Sequence, residues 1–163
     1  MLLVVTAELK VNNQPVLVRF RSPWPLLPTT AGLEARDLQN TESAFVQVIT
    51  QEAPKEINKV TMKNMLLSSV LAQHGKFGAY AAPTDVKVKA TDDPTVFSVS
   101  FTTFTPGLRE SERQLLVKGR QVGDAIVLLM TGTTSLRFKK QQPVLQKVVD
   151  SFEAYAAPTS KLR

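Results

Sequence analysis

The side chains able to do covalent or acid-base chemistry are few and scattered. The chain has one histidine, His74, and no cysteine, which excludes disulfides, thiol catalysis and thiolate metal sites. No G-x-S-x-G elbow, Walker A sequence or H-E-x-x-H pair occurs. A Ser-His-Asp triad would have to use His74, and its neighbourhood offers no evident nucleophile. Asp92 and Asp93 form an adjacent carboxylate pair before Pro94. That pattern reads as a turn, with a loose site for calcium or another divalent cation as the alternative. Gly75 and Gly78 lack the strand-to-helix context of a dinucleotide loop. The chain reads as a non-enzyme that needs no cofactor.

The basic residues carry more information. Lys55, Lys59 and Lys63 precede or open one helical stretch; Arg109, Arg113, Lys118 and Arg120 flank a hairpin; Arg137, Lys139, Lys140 and Lys147 lie on the last helix and its approach. They read either as separate solvated faces or as one docking surface that steers the protein toward an acidic partner, more slowly as salt rises. On the second reading Lys139, Lys140 and Lys147 are the leading contacts, and Arg109 and Arg113 the next. Nucleic acid is disfavoured, because the aromatic residues needed for base stacking do not interleave with the basic ones.

These residues must be positioned by a core, and composition says that one is available. At 163 residues, with 43% hydrophobic and 21% charged side chains, the chain has the size and balance of one globular domain, residues 1–163. The net charge of +6 favours an anionic partner surface. No apolar run approaches the roughly 20 residues needed to cross a bilayer. Residues 1–10 read as a strand rather than a signal peptide, so any targeting segment is expected to lie outside this sequence.

Along the chain, residues 2–11 and 15–21 predict a hairpin around Asn12, Asn13 and Gln14, with Arg19 and Arg21 facing water. The proline-rich stretch 22–30 is expected to be irregular, with Trp24 plugging one end of the core. Residues 32–37 and 44–50 predict a second strand pair. A helix is expected from Asn58 to His74, with Met62, Leu66, Leu67, Val70 and Leu71 buried and Gly75 as a left-handed C-cap. A flexible stretch, 75–84, follows. Strands are predicted over 85–91 and 96–105, the second with a one-residue slip near Thr103, and over 114–118, with 119–123 as a turn. Ala125 to Met130 is a continuous apolar run, predicted as a strand covered on both faces and stopped by Gly132. Phe138, Leu145, Val148, Val149 and Phe152 then recur at helical spacing. Pro143 splits that pattern into a loose lead-in from Ser135 and a firm helix from about Gln142 to Ala154. Short turns between strands demand antiparallel pairing, so the predicted class is α+β, a twisted antiparallel sheet sandwiched between helices.

The order of segments resembles the PsbP family. VLVRFRSPWPLLP is similar to the family's opening strand that ends in proline and tryptophan, and GLEARDLQNTESAFVQVIT to the hairpin that follows. The closing pattern is the most specific: a strand, a turn, Arg137 with Phe138, then VLQKVVDSFEAY, which resembles the C-terminal helix ending in Ser151 and Phe152. The resemblance implies an extrinsic subunit or assembly factor in the chloroplast thylakoid lumen, monomeric when free. It would attach peripherally to the lumenal face of photosystem II, photosystem I or the NDH complex. The family's best-known member supports calcium and chloride retention at photosystem II through a long N-terminal arm. Residues 1–13 look instead like a strand and turn, which favours a PsbP-like or PsbP-domain protein. The alternatives are a small-molecule or divalent-cation-binding module, or a Ran-GTPase-binding import factor, which shares the fold.

Overall fold

The computed structural model describes residues 2–27 and 32–158; Pro28, Thr29 and Thr30 of the proline-rich stretch lie outside these. Asn12 and Asn13 adopt positive φ, 51° and 64°, the geometry of a two-residue hairpin turn whose twist matches its strands. The hairpin joins β1 (Leu3–Val11) to β2 (Gln14–Ser22). A two-residue β3 (Leu26–Leu27) then pairs with β4 (Leu33–Arg36), so the proline-rich stretch is not wholly irregular as expected. β5 (Ser43–Ile49) follows, then α1 (Lys59–Leu67), β6 (Thr84–Ala90), β7 (Val96–Phe104), β8 (Glu110–Val122), β9 (Ala125–Thr134), α2 (Ser135–Asp150) and β10 (Glu153–Ala156). Every pairing is antiparallel. Seven strands run β3-β4-β5-β9-β8-β7-β6, and three run β1-β2-β10.

β9 is central because it is apolar on both faces. Ile126, Leu128 and Met130 meet Met62, Met65 and Leu66 of α1 across Phe97, Val99, Phe101, Leu115 and Val117. Ala125, Val127 and Leu129 face the other way, onto Val16, Val18 and Phe20 of the small sheet and Val148 and Phe152. Phe138, Leu145 and Val149 complete that side over Val96 and Leu116, with Trp24 packed at the join of the two clusters. The seven-stranded sheet thus lies between α1 on one face and α2 with the three-stranded sheet on the other. It is the expected α+β sandwich, with a second small sheet added.

Several boundaries differ from the sequence-based expectation for definite reasons. Gly132 does not stop β9. It sits opposite Leu115 in the ladder, where a Cβ would collide with the Gln114 carbonyl oxygen and the Leu115 side chain. Gly119 is likewise inside β8, and the turn is made by Gly123 and Asp124. Replacing Gly132 with alanine is expected to cost about 1–3 kcal/mol through overpacking. Gly119→Ala should cost less, since its Cβ would meet only the side-chain ends of Ile57 and Leu128, at 3.0 and 3.1 Å. Thermal denaturation of the two variants checks the order.

The α1 helix opens with a capping box, Asn58 Oδ1 accepting from Thr61 N–H at 2.9 Å and Thr61 Oγ1 from Asn58 N–H at 2.8 Å. It ends at Leu67, not His74. The Ser68 and Ser69 hydroxyls donate back to the Asn64 and Met65 carbonyls, diverting the chain into turns that bury Val70 and Leu71, while Leu67 is exposed. His74 is in those turns at φ 67°, and Gly75 is not a helix cap. Nor is the next stretch loose: Phe77 packs between Phe45 and Phe101, and its carbonyl accepts from Thr103 Oγ1 at 2.6 Å. β7 has no slip at Thr103. The α2 helix starts at Ser135 and runs through Pro143, whose ring is exposed. It stops at Ser151 instead of Ala154, because the Ser151 hydroxyl donates to the Val148 carbonyl at 2.7 Å and accepts from Arg21 N–H at 2.8 Å, turning the chain into β10.

Candidate functional site: the outward face of the last helix

With Phe138, Leu145, Val148 and Val149 buried, helical periodicity sends Leu136, Lys139, Lys140, Pro143 and Lys147 to the opposite pole of α2, and all five are exposed. Leu136 is 98% exposed. The first six residues of α2, Ser135 to Lys140, carry three cations and no anion. That arrangement opposes the helix macrodipole, which favours acids near an N-terminus, so it adds to the positive potential there. Arg137 alone is compensated. Its Nη2 and Nε donate to Glu42 Oε1 and Oε2 at 2.6 and 3.0 Å, a two-pronged grip that fixes the first turn against β5. Among the described residues the ion pairs are Arg137–Glu42 and Lys76–Glu34, and none involves Lys139, Lys140 or Lys147.

At its other end α2 borders an open groove of about 420 Å³ lined by Leu2, Arg19, Arg21, Lys147, Asp150, Ser151 and Glu153. Arg19 and Arg21 come from the outer face of β2, where register sets Arg19 between Thr6 of β1 and Glu153 of β10. Asp150 accepts from Gln146. Both arginines are exposed, as the alternation of β2 predicts, but that alternation carries no sign that they extend the lysine row. That needs the knowledge that β2 ends against Ser151.

Arg113 does not join this face. Arg109 is exposed at the loop before β8. Arg113 alternates with Leu115 and Val117 on the α1 side of the sheet, half-buried over the Phe77 ring at 5.6 Å, and burial pulls its pKa below the usual arginine range. Lys55, Lys59 and Lys63 also lie on the α1 side, around that helix's start. A single docking surface made from all the basic clusters is therefore not formed, and only the α2 set and its β2 neighbours share a face. On the α2 side of β8, Lys118 is buried.

Asp92 and Asp93 form the turn before β7. Asp93 Oδ1 accepts from Thr95 N–H at 2.8 Å and Thr95 Oγ1 at 2.7 Å. These bonds, helped by the charges of Lys118 and Arg120, hold its carboxyl below the usual range. Asp92 is exposed. Among the described residues no group of three or more His, Cys, Asp or Glu side chains converges, and no helix is long and apolar enough to cross a membrane.

No family model and no curated protein matches the sequence. The fold does have counterparts. The solution structure of cyanobacterial PsbP (CyanoP) from Synechocystis sp. PCC 6803 aligns over 92% of both chains with a TM-score of 0.51 at 10% identity. The chain has a PsbP-like fold. The crystal structure of LpqN, involved in cell envelope biogenesis of Mycobacterium tuberculosis, aligns over 95% of this chain and 92% of its own, with a TM-score of 0.45 at 10% identity. In this PsbP-like fold the closing pattern singled out in the sequence has a physical meaning. Arg137 ties α2 to β5, Phe138 seats its first turn, Ser151 ends it, and Phe152 locks the exit into the core.

Proposed function

We propose that this chain is a non-catalytic docking protein of the PsbP type, which binds an acidic protein surface through the outward face of α2. The observation that carries the reading is that Lys139, Lys140 and Lys147, without an ion-pair partner among the described residues, stand on one pole of a helix whose opposite pole is fixed in the core. Such a face offers fixed positive charge at little reorganisation. The PsbP-like fold and the net charge of +6 support a setting in the thylakoid lumen, at the lumenal side of photosystem II, photosystem I or the NDH complex. Attachment there is peripheral, through protein, and the chain acts as an extrinsic subunit or assembly factor. No cofactor enters the reading.

Reversing Lys139→Glu and Lys140→Glu together is expected to lower the fraction of protein retained on isolated thylakoid membranes about tenfold at low salt, with an unchanged circular dichroism spectrum. Wild-type protein should be released as salt rises. Equal, salt-resistant retention of both proteins would count against the proposal. A stoichiometric heat on titration with calcium, manganese or zinc would favour the cation-binding alternative at Asp92 and Asp93.

A further inference from the structure

Among the described residues four strand edges bound the two sheets, and three of them are blunted against further pairing. β3 is two residues long and follows Pro25; β6 carries Lys87 and Lys89 and a register shift between Thr84 and Lys87; β10 is four residues long and runs on into Pro158. These are the ordinary devices that protect an edge. β1 carries exposed Glu8 and Lys10 but lacks the other devices. It is nine residues long, has neither proline nor glycine, and keeps an unbroken register with β2.

The direction of its backbone groups follows from the hairpin. A two-residue turn closes on a hydrogen-bonded pair, here Val11 with Gln14, so Leu3, Val5, Ala7, Leu9 and Val11 exchange bonds with β2. The alternate pair Lys10–Pro15 exchanges none, since Pro15 has no N–H and its carbonyl accepts from Ala157 on the far side at 2.9 Å. The N–H and C=O groups of Val4, Thr6, Glu8 and Lys10 therefore point out of the sheet edge. Beneath them Val5, Ala7 and Leu9 pack against the core but remain only half-buried.

We infer that β1 pairs antiparallel with β1 of a second copy of this chain, about a twofold axis at Ala7, joining the two small sheets into one. In that register the inner row is apolar throughout. Ala7 of one copy meets Ala7 of the other, Val5 meets Leu9, and Leu3 meets Val11. On the outer row Thr6 meets Glu8 and Val4 meets Lys10, so no like charges stand opposite. A shift by two residues one way sets Glu8 against Glu8, which is unfavourable, and a shift by two the other way leaves Lys10 and Val11 beyond the end of the opposing β1. It is this self-complementarity that selects a second copy over a foreign strand. One strand edge covers less than the roughly 1,200 Å² of a standard stable interface, so the dimer is weak and reversible and the monomer is its dilute form.

The test is sedimentation of the whole chain from low micromolar to near-millimolar concentration, with amide hydrogen exchange alongside. Wild-type protein should associate as concentration rises, and the amides of Thr6 and Glu8 should gain protection that Ala7 and Leu9 already have from β2. Thr6→Pro removes an outward N–H without touching the β1–β2 ladder and should weaken association at least tenfold. Val4→Lys should weaken it and Val4→Glu strengthen it, because each residue 4 would face Lys10 of the other copy. A wild-type chain that stays monomeric near millimolar, a Thr6→Pro variant that dimerises as wild type does, or Val4→Lys and Val4→Glu moving the same way would each overturn the inference.

Discussion

Phe152→Ala is expected to destabilise the protein by about 3–5 kcal/mol, the range for truncating a buried phenylalanine. Phe152 has no exposed surface. It lies where the chain leaves α2 for β10, against a cluster that includes Val16, Val18 and Phe20 of β2 and Val127 and Leu129 of β9. These neighbours belong to two separate strands, each held by its own hydrogen bonds, so the space left by the ring collapses poorly. A domain of this size has roughly 5–15 kcal/mol of stability in total, and the variant should lose about a fifth of it or more. Urea denaturation should show a lower midpoint with an unchanged slope. Leu136→Ala, on the exposed pole of the same helix, is the contrast and should be close to neutral. A small effect at Phe152 would mean that α2 and the small sheet are not locked together there, and the proposed docking face would lose its rigid support.

How much of this was legible in the sequence depends on whether a residue's reason for being there is local. Helical spacing alone gives the buried row of α2 and, by subtraction, the lysine row opposite. The apolar run of β9 alone says that both its faces are covered. Glycines misled in both strands where they occur. Gly119 and Gly132 resemble chain breaks, yet they are glycine because a neighbouring strand or side chain comes too close for a Cβ, a lateral fact with no trace in the linear order. Pro143 misled in the same way: it interrupts a helix in principle, but on the exposed pole of a helix fixed by Arg137 at one end and Phe152 at the other it is tolerated. β10 is four residues of weak strand character that exist because β2 offers an edge. The site was half legible for the same reason. Lys139, Lys140 and Lys147 share one element, so period suffices. Adding Arg19 and Arg21 and removing Arg113 requires knowing which sheet face each strand presents and where β2 ends.

Glu42→Gln should cost about 2–3 kcal/mol at neutral pH, because a nearly buried carboxylate, 2% exposed, is replaced by an amide amid donors. Both carboxylate oxygens accept from Arg137, and Oε2 also accepts from Thr133 Oγ1 at 3.0 Å. An amide nitrogen in either position would face a donor with a donor. The Arg137 guanidinium, ahead of the Thr133 hydroxyl, holds the Glu42 carboxyl below its ordinary value of 4.5. A carboxyl depressed on folding contributes stability that is full above its unfolded pKa and is lost as pH falls through the lower folded value. Wild-type stability should therefore drop in acid by an amount that the glutamine variant, with nothing to titrate at this position, does not share. The two proteins should differ most near pH 7 and converge as the wild-type carboxyl protonates. Paired urea denaturations at neutral and acid pH check this. A gap that stays constant would mean that the shape of the side chain, not its charge, ties the first turn of α2 to β5, and that Arg137 contributes packing alone.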